Sequence, residues 1–168
     1  VFGRIAELVT GQAWHELFHE RVAGPLGAEL RYGDTRNPRV PGGLIASADA
    51  YDRVLRAHLG GGTLDGVRVV PADLVADMQR DRTGEEPVND PYGGTRPGYG
   101  LGVWIEATAA DGAPVRVASG GAWGTIPWVD LRHGYRALIV LYGLGVMGAL
   151  VAAELAAQLR PLIEERLT

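Results

Sequence analysis

At 168 residues, with 46% hydrophobic and 21% charged side chains, the chain has the composition of one globular domain, or most of one, and not that of a disordered tail. Its formal net charge of −4 and its scattered arginines form no basic stripe, which argues against nucleic acid or an anionic membrane surface as a partner. All 16 basic residues are arginine, and the absence of cysteine excludes disulfides and thiolate metal sites while leaving the cellular compartment undecided.

The sequence starts at Val1, with no Met and no basic segment leading into an apolar one, so it shows no secretory leader and reads as cut from something longer. Phe2, Ile5, Leu8 and Val9 recur at helical spacing up to Thr10-Gly11. Trp14, Leu17, Phe18 and Val22 repeat the pattern up to Gly24-Pro25, which predicts two short amphipathic helices. Ser47 is placed to cap the N-terminus of a helix carrying Tyr51, Val54, Leu55, His58 and Leu59, which Gly60-Gly61-Gly62 stops. Asp65-Gly66 reads as a tight turn, and Pro71 suits the first turn of a short helix with Leu74, Val75 and Met78 on one face.

From Asp81 to Gly98 the chain holds three prolines and four glycines among several charges, which predicts a long functional loop bordering a cleft. The period then changes to that of strands, at about Tyr99 to Glu106, Pro114 to Ala118, Thr125 to Leu131 and Tyr135 to Tyr142, with turns at Asp111-Gly112 and His133-Gly134. An antiparallel meander is expected. The 17 uncharged residues from Ala137 to Ala153 touch the lower length limit for a membrane span, but Gly143, Gly145 and Gly148 divide them into strand, turn and helix start, so no span is expected. Leu155, Leu159, Leu162 and Ile163 form one face of a terminal helix, which Pro161 should kink or whose regular hydrogen bonding it should end. The fold class is therefore α+β: residues 1–80 mostly helical, 81–98 a loop, 99–142 antiparallel strands and 143–168 a C-terminal helix.

The most informative segment is Ser119-Gly120-Gly121-Ala122-Trp123-Gly124, a small polar residue and crowded glycines between two strands, where backbone can approach a ligand closely. With Tyr99-Gly100-Leu101-Gly102-Val103-Trp104 upstream, it resembles the third active-site motif of the penicillin-recognising serine hydrolases, which include class C β-lactamases, D-alanyl-D-alanine carboxypeptidases and related esterases. Three further segments resemble that family in the same order: Gly3 to Gly11, the Val22-Ala23-Gly24-Pro25-Leu26-Gly27 turn, and Gly42-Gly43-Leu44-Ile45-Ala46-Ser47-Ala48-Asp49. The resemblance implies the C-terminal portion of one β-lactamase-like domain, and it implies a strand supplied by the N-terminal portion to pair with Tyr135 to Tyr142. The family's Ser-x-x-Lys nucleophile motif is not in these residues, since they contain no lysine.

For the site, the resemblance implies acyl transfer through a covalent acyl-enzyme on an ester, amide or β-lactam substrate, with no cofactor. Ser119, Gly121 and Ala122 fall on the catalytic motif, with the Ala122 N–H as an oxyanion donor, while Gly120, Trp123, Tyr92 and Tyr99 are expected to wall the substrate cleft. Ser119 stands where many members carry Lys or His, and a neutral hydroxyl supplies no fixed positive charge for a substrate carboxylate, which favours esters or small amides over penicillin-like substrates. Blander readings hold elsewhere. Ser47 is a helix cap, because Ala50 occupies the lysine position of a nucleophile motif. His15 and His19 have i, i+4 spacing without a third ligand and read as helix surface, so no metal site is expected. Trp14, Trp104 and Trp128 read as core. A non-catalytic binding module derived from the same fold is the competing reading.

Overall fold

The computed structural model describes residues 1–84, 88–90, 94–142, 145 and 147–167. Its backbone contacts divide it into two compact units, Val1–Val70 and Pro71–Thr168.

The first unit opens with α1 (Phe2–Thr10), closed by Gly11 in the left-handed conformation, φ 72°. Then α2 (Trp14–Phe18) runs through a wider π-type turn (His19–Ala23) into α3 (Gly24–Leu26). The helical path therefore passes Gly24-Pro25, where the sequence predicts a stop, and ends at Gly27 with φ 59°. The wide turn directly precedes Pro25, whose missing N–H and bulky ring would break an ordinary i→i−4 ladder. A short ladder of β1 (Leu30–Arg31) with β2 (Ile45–Ala46) leads into α4 (Ala48–Leu59). Ser47 caps α4 as expected, its Oγ accepting from the Ala50 N–H at 3.1 Å. The hairpin of β3 (Thr63–Leu64) and β4 (Val67–Arg68) turns at Asp65 and Gly66, both at positive φ, and Asp65 pairs with Arg56 at 2.6 Å. Ala23, Leu26, Leu30, Ala50, Ala57 and Leu64 form the core of this unit.

The apolar residues of α1 do not face that core. Gly3 and Glu7 are its buried residues, whereas Phe2 is 84% and Val9 80% exposed. Glu7 accepts from Arg4 and from the Trp14 N–H, each at 2.9 Å, which ties α1 to α2. Tyr32 meets both Trp14 and Phe18 edge-to-face, while Trp14 and Phe18 lie tilted at 31° to each other.

The second unit begins with α5 (Ala72–Met78), for which Pro71 is the cap residue. The expected 81–98 loop contains a hairpin of β5 (Val88–Asp90) and β6 (Gly94–Arg96). A five-stranded antiparallel meander follows: β7 (Gly98–Tyr99), β8 (Trp104–Thr108), β9 (Pro114–Ala118), β10 (Thr125–Asp130) and β11 (Tyr135–Val140), in that spatial order. The first expected strand is thus two, because Gly100 N–H bonds Val103 O at 2.9 Å and Gly102 takes φ 80°, folding the chain back on itself. The chain ends in α6 (Met147–Leu167), which packs on β10 and β11. Among the described residues no helix is long and apolar enough to cross a membrane.

Two features of α6 go beyond the sequence expectation. It continues through Pro161. Both Pro161 and Ala157, whose carbonyl loses its donor, lie on the exposed side, where water can take the place of the missing bond. Its buried face is also not the leucine stripe. Ala149, Ala152, Ala156 and Arg160 point inward, while Leu155, Leu159 and Leu162 are 38%, 41% and 59% exposed. The cause is Trp128 on β10, 1% exposed, whose indole fills the layer between sheet and helix together with Ala118 and Ile126. A large ring on the sheet demands small side chains opposite. Replacing Ala152 with Leu should therefore cost about 1–3 kcal/mol by overpacking, whereas Leu159→Gln should stay within about 0.5 kcal/mol. Urea unfolding of both variants checks the pair; equal losses would contradict this assignment of the helix face.

Candidate functional site

The loop between β9 and β10 holds the residues singled out from the sequence. The ladder continues past β9: Ser119 N–H bonds Pro127 O at 3.2 Å and Gly121 N–H bonds Thr125 O at 2.8 Å. The chain then reverses through Ala122 and Trp123, closed by Gly124 N–H to Gly121 O at 3.0 Å. Between these bonds the Ala122 N–H has no backbone acceptor among the described residues. Ser119 is exposed, Gly120, Gly121 and Ala122 are half-buried, and Trp123 is 72% exposed. One turn therefore presents a hydroxyl, an N–H without a backbone partner and an indole together.

The glycine that the turn requires is Gly124, at φ 89° and buried. A Cβ there would lie 3.0 Å from both the Gly148 carbonyl and the Leu141 side chain. At Gly120 a Cβ would meet nothing within 4 Å, and at Gly121 it would come to 3.2 Å from Thr125 O. Leu141 N–H donates to Gly124 O at 3.0 Å, so the turn is also fixed to the end of β11. The close approach of Gly124 and Gly148 pins the loop against the first turn of α6, a pairing between distant positions that no local pattern announces.

Tyr99 lies on β7 at one edge of the sheet and meets Trp104 edge-to-face, with ring centroids 4.6 Å apart. Trp104 in turn lines a small cavity behind the loop together with Gly120. Tyr99 thus reaches the loop through Trp104. Tyr92 lies outside the described residues. At about 20 Å³ the cavity has room for about one water. Ser119 and Trp123 lie on the exposed face of the loop.

The polar side of that cavity is a feature the sequence reading missed. Glu106 on β8, with its side chain 3% exposed, receives three arginines: Arg160 of α6 at 2.8 Å, Arg116 of β9 at 3.3 Å and Arg96 of β6 at 3.4 Å. Arg96 also pairs with Asp90 across the hairpin at 3.3 Å, and Arg116 reaches Glu164 at 2.7 Å. Arg160 lies 4.9 Å over the Trp128 ring. Burial holds its guanidinium below the usual arginine value, an effect that Glu106 opposes. The detectable signal was a charge on the Trp104, Glu106 side of β8, matched by Arg116 two residues before Ala118 on β9.

Asp130, His133 and Glu164 bring three metal-type ligand atoms within 4.8 Å of one another. Their charges are engaged within the protein: Asp130 accepts from the His133 N–H at 2.8 Å and lies 3.7 Å from Arg116, whose guanidinium also holds Glu164. This arrangement is an ion-pair cluster. His15 sits 3.8 Å from Asp34, on a partly exposed helix surface.

With this geometry in hand, the fold is recognisable among solved structures as that of the β-lactamase-like serine hydrolases. A provisionally assigned β-lactamase from Bacteroides dorei superposes with a TM-score of 0.76 at 24% identity, covering 93% of this chain and 54% of its own. A β-lactamase from Mycobacterium bovis gives 0.66 at 17% identity, covering 93% and 60%. The simvastatin synthase LovD from Aspergillus terreus gives 0.65 at 18% identity, covering 92% and 52%. The chain thus spans about half the length of these structures. In sequence it is similar to Protein Rv1367c of Mycobacterium tuberculosis, 35% identical over 91 residues, a match covering 52% of this chain and 22% of that protein. No family model matches the chain.

Because Gly124 combines a left-handed backbone with a packed Cβ direction, Gly124→Ala should destabilise the second unit by about 1–3 kcal/mol. Gly120→Ala should leave stability nearly unchanged. Thermal unfolding followed by near-ultraviolet circular dichroism reads both, and a tolerated Gly124→Ala would refute the close approach to Gly148.

Proposed function

We propose that the chain is the C-terminal portion of one β-lactamase-like domain in a serine hydrolase that acts on ester, amide or β-lactam bonds through an acyl-enzyme. The observation that carries this reading is the Ala122 N–H, which has no backbone acceptor among the described residues in a turn that otherwise continues the sheet ladder. A donor useful to a tetrahedral oxyanion must be held rigidly and left unconsumed, and the bonds at Gly121, Gly124 and Leu141 supply the rigidity. Ser119 and Trp123 then flank the acyl carbonyl, and the Asp81 to Gly98 segment borders the cleft. The half-length match to β-lactamase-like structures supports the reading, as do the outward apolar stripes of α1 and α6.

In this account the nucleophile and its lysine lie outside these 168 residues, which contain no lysine and only the two serines Ser47 and Ser119. Ser47 is occupied as a helix cap. The chain alone is then inert toward β-lactams and aryl esters. The absence of lysine equally suits a binding module derived from the fold, and the parent reading frame separates the two: a Ser-x-x-Lys upstream of Val1 favours the enzyme.

The functional test extends the chain with its native upstream sequence and measures hydrolysis of p-nitrophenyl esters. Activity is expected to appear and to fall by about 100-fold or more in Gly121→Val, whose side chain would crowd Thr125 O and displace the Ala122 donor. Unchanged turnover in Gly121→Val would remove the loop from the mechanism.

A further inference from the structure

The ion cluster around Glu106 leaves hydrogen-bonding capacity unused, and the residues that carry it line the cavity behind the Ser119 loop. Arg160 Nη2 donates to Glu106 Oε1 at 3.0 Å. The other carboxylate oxygen, Oε2, lies 2.8 Å from Arg160 Nη2 and 3.3 Å from Arg116 Nε, yet among the described residues no N–H meets it with hydrogen-bond geometry. Arg160 Nε is likewise buried without an acceptor. The Glu106 and Arg160 side chains are only 3% and 10% exposed, and both stand in the wall of the cavity. A buried donor and a buried acceptor left without partners are each costly, and one small ligand between them would satisfy both.

The wall selects that ligand. Its charged side chains are Asp90, Glu106, Arg96 and Arg160, two of each sign, so an added anion or cation would bring a charge that nothing there balances. A neutral species that accepts from a guanidinium and donates to a carboxylate fits instead. The volume of about 20 Å³ suits one water, which needs about 10–15 Å³ and at least two polar partners.

We propose that one internal water molecule occupies this cavity, accepting from Arg160 Nε–H and donating to Glu106 Oε2. It completes the replacement of the hydration that Glu106 loses on burial, which the arginines alone leave unfinished at Oε2. The cavity is walled by β8, α6 and the β5–β6 hairpin together, so the water belongs to the contact that joins all three.

The test is cross-relaxation from water to protein in the 168-residue chain, recorded as paired NOE and ROE spectra at the Ala118 and Ala153 methyl groups, which both line the cavity. A long-held internal water gives contacts of opposite sign in the two spectra, whereas surface water and proton exchange give the same sign. The wall carries no hydroxyl group whose exchange could imitate the methyl contacts. Contacts of opposite sign are expected at both methyls. Ala153→Val adds bulk to the wall and should abolish the contact at Ala118, with the strand amide shifts close to those of the unsubstituted chain.

Contacts that are absent, that share one sign, or that survive at Ala118 in folded Ala153→Val would overturn the water site. A chloride titration of the unsubstituted chain decides independently of whether that variant folds. The Arg160 Nε–H signal should show no saturable shift, and a saturable one would assign the cavity to an anion and overturn the proposal.

Discussion

A single buried carboxylate organises the second unit. The Glu106 side chain is almost wholly removed from water, and burying an ionised carboxylate is tolerated only where opposite charge and hydrogen bonds replace its hydration. Here the replacement comes from Arg160, Arg116 and Arg96, which arrive from α6, β9 and the β5–β6 hairpin. Each of those elements bears on the candidate site. Strand β9 runs directly into the Ser119 loop, α6 presents Gly148 to Gly124, and the hairpin belongs to the segment assigned to the cleft border. Removing the Glu106 charge would leave three guanidinium groups crowded around a neutral side chain, so the same contacts that hold the elements together would drive them apart.

The alanine face of α6 follows from the same layer. Arg160 needs access to Glu106, and its guanidinium lies over Trp128 while doing so. The helix must therefore sit close to the sheet, which Ala149, Ala152 and Ala156 permit and a leucine stripe would not. Close seating of α6 also makes Gly124 and Gly148 necessary where they touch. The turn that holds the Ala122 N–H is thus fixed from behind by packing and from beside by the end of β11.

Features governed by local rules were legible in the sequence. Ser47 as a cap, Asp65-Gly66 as a tight turn and the antiparallel meander each depend on a few neighbouring residues, and the structure has them. The position of the Ser119 loop between two strands was legible for the same reason. Features set by distant partners were not. The hydrophobic period of α6 pointed to Leu155 and Leu159, because a period reports amphipathicity but not which face a tryptophan on another strand will occupy. Pro161 read as a kink or an end of regular hydrogen bonding because its exposure was unknown. The cluster of Glu106 with its arginines was not read from the sequence, since nothing local shows that a charge on β8 will meet others from β6, β9 and α6.

The central claim is that the Glu106 ion cluster holds the loop and α6 as one unit, and amide hydrogen exchange in a Glu106→Gln variant tests it most directly. The variant keeps the side-chain volume and removes the charge. The account predicts that the Gly121 and Gly124 amides, bonded to Thr125 O and Gly121 O, lose protection together with the amides of α6, while the first unit is unaffected. Unchanged protection at Gly121 and Gly124, with α6 alone loosened, would contradict it.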